Sequence, residues 1–234
     1  MFYMLLLSID TSIRGCSVAV HNETGLLAAY DLFTDKSSSA MLTTLLRDSV
    51  THAGFKLSDI DAIVVGKGPG SYTGLRVGVS TAKGLCYALD KPLIAINTLQ
   101  AMGLQLAPFF PGHLLCPMID ARRMEVYAAV FDENNAFVQE TQAVIMNDHS
   151  FEELLANHKV VFFGDGAAKC KPILEKHSNA IFPAIDIKPS ARTVGQLGAI
   201  AFANAQFEDV ASFEPYYLKD FMSPAPRKAS TLVQ

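Results

Sequence analysis

Four small residues recur at intervals of four in the segment VVGKGPGSYTGLRVGVSTAKG, residues 64–84: Gly70, Gly74, Gly78 and Ala82. On an α-helix such residues form one ridge almost without side chains, so another stretch of backbone can approach closely. Each glycine lowers helix stability by about 1 kcal/mol relative to alanine, and packing must offset that loss. The segment therefore predicts a strand followed by a helix that is buried along its glycine ridge.

The same layout of strand, glycine-rich turn and helix often binds phosphate, because free backbone N–H groups and the helix dipole point into the turn. The P-loop pattern, however, requires Lys and then Ser or Thr after its last glycine, whereas Ser71 and Tyr72 follow Gly70. The dinucleotide pattern G-x-G-x-x-G also fails, since a start at Gly66 and Gly68 places its third glycine at Ser71. We therefore interpret these glycines as packing residues.

The opposite face of this helix carries long amphipathic side chains, namely Tyr72, Arg76, Val79, Lys83 and Tyr87. Such side chains are enriched at protein interfaces, but long polar side chains mostly face water. On the residues alone, a solvated face is the favoured interpretation.

A second helix is predicted from about Ser38 to Ala53. Its apolar stripe is wider than one contact surface needs. The stripe consists of Met41, Leu42, Leu45, Leu46, Val50 and Ala53. It either packs entirely on a sheet and on the glycine ridge, or turns one part toward a second protein, and the spacing is consistent with both.

The composition indicates a folded protein without a general affinity for nucleic acid. Of 234 residues, 50% are hydrophobic and 18% are charged, which is enough for one large or two small domains. The formal net charge is −4, whereas a protein that grips nucleic acid unaided normally has a basic face. Any role on nucleic acid is therefore expected to be shared with a partner.

The cysteines and histidines suggest neither a disulfide framework nor a metal site. The four cysteines are scattered without a C-x-x-C pair, so we expect buried thiols. The six histidines show no H-x-x-x-H or H-E-x-x-H spacing. The apolar opening MFYMLLLSID predicts a buried strand, and its early Asp10 argues against a signal peptide or a membrane span. Translation from Met1 and from Met4 are both compatible with this sequence.

The order of the elements predicts an α/β fold. In the first hundred residues, three strand signals are followed by a strand, a helix, a strand and a helix, which implies a mixed sheet flanked by helices. Strand signals return in 114–145, and a long helix is predicted for 191–206. A smaller second lobe is expected between about 104 and 185.

The segment SIDTSIRGCSVAV predicts a hairpin with Asp10 at the end of its first strand, followed by Thr11 and Ser12. Actin-like and sugar-kinase-like ATPases hold phosphate and Mg²⁺ with such a hairpin. The same residues are also ordinary turn formers, and taken alone they favour a plain turn.

Four segments together resemble the TsaB family of bacterial tRNA threonylcarbamoyladenosine biosynthesis proteins. They are IDTS (9–12), GKGPGSYTGLRVG (66–78), IDARRMEVY (119–127) and EPYYLKDF (214–221). The resemblance implies a two-lobed actin-like ATPase fold (ASKHA, ribonuclease H-like) with mixed β-sheets flanked by helices. It further implies an N-terminal lobe of 1–103 plus 186–222, with the C-terminal helix returning to it, a smaller lobe of 104–185 and a flexible tail of 223–234.

The resemblance also implies a function: a non-catalytic subunit that binds the catalytic subunit TsaD and works with the ATPase TsaE in tRNA N6-threonylcarbamoyladenosine modification. TsaD-like members hold their metal with an H-x-x-x-H pair, which this chain lacks. No catalytic residue, metal or cofactor is therefore expected. The implied setting is the cytoplasm, away from membranes, with tRNA reached only through the complex and a homodimer formed in the absence of TsaD.

Within this family the helix faces become the expected surface for TsaD and for self-association. Its residues are Met41, Leu42, Leu45, Tyr72, Leu75, Arg76, Val79 and Lys83. A serine at position 37 is expected to cap the first helix, where many relatives carry a histidine.

Two further groups of polar residues are candidates for binding. Asp10, Thr11 and Ser12, together with Asp165 and Gly166, are expected to be a vestigial nucleotide site. A second group, Asp120, Arg122, Arg123 and Glu125, is interpreted as a network between the lobes, with a tRNA phosphate contact as the alternative. A small-molecule kinase or ATPase of the same fold is the alternative function, and a metallopeptidase has no ligand pattern to support it.

Overall fold

The computed structural model describes residues 4–34 and 38–218. The predicted cap at Ser37 and the predicted tail at 223–234 lie outside the described residues.

The first sheet is mixed, as the order of the elements predicts. Its strands are β1 (Leu5–Asp10), β2 (Cys16–Asn22), β3 (Gly25–Leu32), β4 (Ala62–Gly68) and β5 (Leu93–Asn97). They lie in the order β3-β2-β1-β4-β5, with β2 antiparallel to both its neighbours and β4 parallel to β1 and β5. The central strand β1 is buried at every position, which accounts for the apolar opening of the chain.

Two helices pack on this sheet. Helix α1 (Ser38–His52) contacts β2 and β3, and α2 (Tyr72–Leu89) contacts β4. Ser71 caps α2, because its side chain accepts a hydrogen bond from the Gly74 N–H at 3.3 Å. The helix ends at Asp90 in the left-handed region, with φ of 55°.

The second sheet repeats the topology of the first. Its strands are β6 (Leu114–Asp120), β7 (Glu125–Phe131), β8 (Phe137–Ile145), β9 (Val160–Phe163) and β10 (Ala180–Ile181), in the order β8-β7-β6-β9-β10. The antiparallel hairpins lie on one side of β6 and the parallel strands on the other. Helix α4 (Glu152–Asn157) precedes β9, and α5 (Ala167–Leu174) follows it. Each half of the chain therefore has the same order of strands and helices.

The two halves exchange their last helices. Helix α3 (Thr98–Leu106) follows the first sheet but packs on β6 and β7 of the second. Helix α6 (Ala191–Ala203) follows the second sheet but packs on β1, β2 and β4 of the first. The predicted division between 103 and 104 falls inside α3, whose Leu99, Met102 and Leu106 belong to the core of the second lobe.

All four cysteines are buried free thiols, as the sequence predicts. Burial raises the pKa of the Cys86 and Cys170 thiols to about 11, so both stay protonated at neutral pH. In the part of the chain that the structure describes, no helix combines the length and the apolar character that crossing a membrane requires.

Candidate functional site

The β1–β2 turn holds a carboxylate that is shielded from solvent. Asp10 ends β1 and is 2% exposed. Its Oδ1 accepts hydrogen bonds from the Ser12 N–H at 2.9 Å and from the Ser12 hydroxyl at 2.6 Å. Its Oδ2 is buried and has no hydrogen-bond partner among the described residues. Burial raises the pKa of Asp10 to about 6, although the two bonds from Ser12 act in the opposite direction.

The glycine ridge of α2 fits directly against this turn. A Cβ added to Gly74 would lie 2.1 Å from the backbone oxygen of Thr11, and a Cβ added to Gly70 would lie 2.3 Å from that of Ser12. At Gly78 the added atom would meet the Thr11 hydroxyl at 2.3 Å. No real Cβ tolerates such distances, so the close approach that the four-residue spacing predicts is confirmed.

Two hydrogen bonds fix the contact between the turn and the helix. The Thr11 hydroxyl donates to the Gly74 carbonyl at 2.7 Å, and the Ser71 N–H donates to the Ser12 carbonyl at 2.6 Å. Strand β4 approaches from the other side, because a Cβ on Gly66 would lie 2.2 Å from Oδ2 of Asp10. The place beside the carboxylate is therefore filled by the chain's own backbone.

The second lobe has an equivalent turn, between β6 and β7, with Asp120 in the position of Asp10. Here the carboxylate accepts a short hydrogen bond from Lys169 Nζ and another from the Arg122 N–H at 2.8 Å. Lys169 also donates to the carbonyls of Arg123 and Glu125, at 2.8 and 2.7 Å. Partial burial alone would raise the pKa of Asp120, but the Lys169 ammonium and the Arg122 N–H lower it.

Asp120, one of the four residues predicted to connect the two lobes, is hydrogen-bonded within its own lobe. Lys169 lies on α5 of the same lobe, and Oδ1 of Asp165 accepts from the Asp120 N–H at 2.9 Å. The bonds therefore close the turn onto its own lobe. Arg122 and Arg123 are exposed and left-handed, with φ of 68° and 52°.

The five residues of the predicted vestigial nucleotide site lie in two places. Asp10, Thr11 and Ser12 form the β1–β2 turn, whereas Asp165 and Gly166 connect β9 to α5 in the other lobe. Among the described residues, no hydrogen bond joins the two groups. Burial raises the pKa of Asp165, against the hydrogen bond from the Asp120 N–H.

The helix surface that the family resemblance assigns to a partner is only partly exposed. Leu42, Leu75 and Val79 are 0%, 1% and 3% exposed, so they lie inside the first lobe. Their assignment to an open surface is corrected by this burial, since α1 and α2 turn them toward the sheet. Helical spacing alone does not reveal which edge of a wide apolar stripe faces the sheet.

Exposed and half-buried residues of α1 and α2 remain as candidates for a partner surface, which we call the α1–α2 face. It comprises the exposed Met41, Arg76 and Tyr87 and the half-buried Leu45, Tyr72 and Lys83. Met41 is 41% exposed and Tyr87 is 90% exposed, which is unusual for side chains of this size.

A C-terminal segment, residues 206–217, runs along one side of this face. Lys83 Nζ donates to the carbonyls of Ala211 and Phe213, at 3.1 and 2.9 Å. Tyr217 stacks on Tyr72 with 4.8 Å between ring centroids, and its hydroxyl accepts from Arg76 Nε at 3.3 Å. The motif EPYY (214–217) contributes to the family resemblance, but it does not predict this contact, because no local pattern connects residues so far apart in the chain.

The described residues contain no group of three or more His, Cys, Asp and Glu side chains that could hold a metal ion.

Two sheets of equal topology with exchanged terminal helices define this protein as a member of the two-lobed actin-like ATPase fold class. YeaZ from Pseudomonas aeruginosa has a similar structure, with a TM-score of 0.79 and 25% identity over 92% of this chain and 100% of that one. The family model described as "TsaD: tRNA N6-adenosine threonylcarbamoyltransferase" matches residues 33–232.

Curated relatives identify the family to which the chain belongs within that fold class. The tRNA threonylcarbamoyladenosine biosynthesis protein TsaB of Escherichia coli (strain K12) is 31% identical over 93% of this chain and 95% of its own length. TsaB of Bacillus subtilis (strain 168) is 32% identical over 74% of this chain and 76% of its own. The chain belongs to the TsaB family.

Proposed function

We propose that this protein is a non-catalytic partner subunit in the biosynthesis of N6-threonylcarbamoyladenosine in tRNA. It binds and supports the catalytic subunit TsaD, together with the ATPase TsaE, in the cytoplasm. The proposal is supported by the similarity to TsaB relatives over nearly the whole chain and by the match to the TsaD family model. With a net charge of −4, the chain contacts tRNA only through the complex.

The burial of Asp10 carries the non-catalytic part of this proposal. A carboxylate that binds Mg²⁺ or orients phosphate must be within reach of the ligand. Asp10 is 2% exposed, and a Cβ added to Gly66 of β4 would lie 2.2 Å from its Oδ2. A nucleotide would have to displace this strand from the turn before it could reach the carboxylate.

The same packing makes α2 a rigid platform for a partner. Its inner side is fixed by the β1–β2 turn, and its outer side presents Arg76 and Tyr87, while Met41 of α1 is exposed as well. Exposed aromatic, methionine and arginine side chains are typical of the centres of interfaces. TsaD binds this α1–α2 face, and the chain pairs with a second copy through it when TsaD is absent.

Charge reversal on the face tests the proposal. In Arg76→Glu, the new charge would weaken binding to TsaD of the same organism at least tenfold, which corresponds to about 1.4 kcal/mol. Arg76 is exposed and its hydrogen bond to Tyr217 is long, at 3.3 Å, so the variant should keep the fold of the parent, which circular dichroism melting curves verify. Isothermal titration calorimetry would measure the affinity, and modification of tRNA by the mixture would measure the activity.

The matched control is Lys159→Glu, a charge reversal at an exposed position of the second lobe. It should bind TsaD like the parent. Equal binding by Arg76→Glu and by the parent would show that the α1–α2 face is not the contact.

A nucleotide-hydrolysing function is the second candidate, because strongly shifted carboxylates such as Asp10 are concentrated at functional sites. Calorimetric titration with Mg-ATP separates the two functions. Micromolar binding with release of phosphate would support an ATPase, and its loss in Asp10→Asn would assign the activity to this turn.

A further inference from the structure

A cleft of about 500 Å³ lies between the two lobes, away from the turns at Asp10 and Asp120. One wall is the edge strand β5 of the first sheet, and the opposite wall is the edge strand β8 of the second. Its floor includes Asn97, whose side-chain amide donates to the Thr141 hydroxyl across the lobes at 2.8 Å. The volume is within the usual range for pockets that bind small molecules.

Charges of both signs line this cleft without pairing. Lys67 approaches from the end of β4, Glu140 from β8, and Glu208 from the segment after α6. In the described part of the chain, none of these three side chains forms an ion pair. A ligand that carries both an ammonium and a carboxylate group would complement them.

Three aromatic rings supply the apolar part of the lining: Phe137, Phe207 and Tyr216. Phe207 is 45% exposed and Tyr216 is 38% exposed, so both can still bury surface on a ligand. The hydroxyl of Tyr216 makes only a long contact of 3.5 Å with the Thr141 carbonyl, which leaves it available for a stronger hydrogen bond.

The backbone of β5 adds a third kind of group. Glu208 pairs with Leu93 through a hydrogen bond of 2.9 Å from its N–H to the Leu93 carbonyl, so Leu93 directs its polar groups away from β4. Ala95 lies two residues further and points the same way, into the cleft. No strand pairs with β5 on this side among the described residues. A peptide-like ligand could continue the pairing that Glu208 begins.

We propose that this inter-lobe cleft binds a short zwitterionic peptide or a related amino-acid derivative. Its ammonium group faces Glu140 and Glu208, its carboxylate faces Lys67, its amide pairs with Ala95, and its side chain packs on the aromatic rings. The site includes no residue of the α1–α2 face, although residues 206–217 contact both, and it needs no partner subunit.

The dipeptide Gly-Phe is a suitable probe, since it combines both charges, one amide and one ring. Calorimetric titration of the full chain should give a dissociation constant tighter than about 1 mM. N-acetyl-Gly-Phe lacks the ammonium group and Gly-Phe amide lacks the carboxylate, and each should bind at least tenfold more weakly. Equal affinity for all three compounds, or no binding of Gly-Phe, would overturn the proposal.

Two variants test where the dipeptide binds. Glu140→Gln and Lys67→Met should each weaken binding of Gly-Phe at least fivefold. Glu153→Gln, an exposed position on α4 outside the cleft, should leave it unchanged. Circular dichroism melting curves verify that each variant is folded. If Gly-Phe binds and Glu140→Gln binds it as well as the parent does, the ligand lies elsewhere and the assignment of the cleft is wrong.

Discussion

Each lobe has an aspartate at the same position of the same topology, but the pKa values of the two carboxyl groups shift in opposite directions. Asp10 ends the central strand of the first sheet, and Asp120 ends that of the second. The first is shielded by the chain's own backbone, with Gly66 of β4 against its Oδ2, and its pKa rises to about 6. The second is partly exposed and paired with Lys169, and its pKa falls. The comparison teaches that the groups packed around such a carboxylate, rather than its position in the fold, decide the direction in which its pKa shifts.

The difference between the lobes begins with the helix that follows each parallel strand. Helix α2 presents glycines to its turn, so backbone meets backbone and water is excluded. Helix α5 presents Lys169 to its turn, and the ammonium group closes the turn by hydrogen bonds instead. The glycines of α2 give a rigid contact that excludes water, whereas Lys169 of α5 gives a polar contact that remains open to solvent.

The largest expected effect on stability comes from a substitution that disrupts the close contact between α2 and the β1–β2 turn. Gly74→Ala places a methyl group 2.1 Å from the backbone oxygen of Thr11, where neither backbone can yield cheaply. We expect a loss of about 3 kcal/mol or more in the free energy of unfolding, at the upper end of overpacking effects. Urea denaturation at neutral pH measures it.

Gly84→Ala in the same helix is the matched control. A Cβ at Gly84 would meet nothing within 4 Å, so only helix propensity changes. This variant should gain up to about 1 kcal/mol. If both variants are equally stable, the turn and the helix are not in close contact.

A smaller effect is expected from removing the buried charge of the first lobe. The pKa of Asp10 is raised from 3.8 to about 6, so the folded state binds its proton more tightly than the unfolded state does. This stabilisation is complete below the unfolded pKa and is lost as the pH rises through about 6. The shift corresponds to about 3 kcal/mol. Asp10→Asn keeps the oxygen that accepts from Ser12 but does not titrate.

The measurement is the free energy of unfolding of both proteins between pH 4 and pH 8. Other titrating groups cancel in the difference between parent and variant. Relative to Asp10→Asn, the parent should become less stable by about 2 kcal/mol as the pH rises over this range, because Asp10 is already partly ionised in the unfolded state at pH 4. If the difference in the free energy of unfolding between parent and variant does not change with pH, Asp10 is ionised and hydrated in the folded protein, as a functional phosphate-binding site requires.

Much of this comparison can be predicted from the sequence, but only for one lobe. The spacing of Gly70, Gly74 and Gly78 predicts a close backbone contact, because repeated glycines destabilise a helix unless tight packing compensates for them. Sequence order alone also predicts the mixed first sheet. The role of Lys169 is not predictable, since a lone lysine on a helix is usually solvated and its acceptors lie more than 40 residues away.

The surface of the first lobe shows a similar limit of prediction. The sequence reveals the apolar stripes of α1 and α2, yet it does not separate the buried Leu42, Leu75 and Val79 from the residues of the open face. A stripe has two edges, and only the contact with the sheet decides which edge is buried. The packing of residues 206–217 on α2 is a long-range contact of the same kind.

The smallest effect is expected in the second lobe, where the sign of the pH dependence is reversed. Asp120→Asn removes the charge that pairs with Lys169 but preserves an oxygen for the Arg122 N–H. Because the Asp120 side chain is 48% exposed, the loss in the free energy of unfolding at pH 7 should be below about 1 kcal/mol.

The pKa of Asp120 is lowered, so the contribution of its charge to stability is present above the unfolded pKa and disappears as the pH falls through the folded pKa. The deficit of Asp120→Asn should therefore shrink as the pH falls below the ordinary aspartate pKa, under the same urea denaturation that is used for Asp10→Asn. If the stability differences of the two variants change with pH in opposite directions, the equivalent turns are closed by different interactions. Changes in the same direction would contradict the comparison between the lobes.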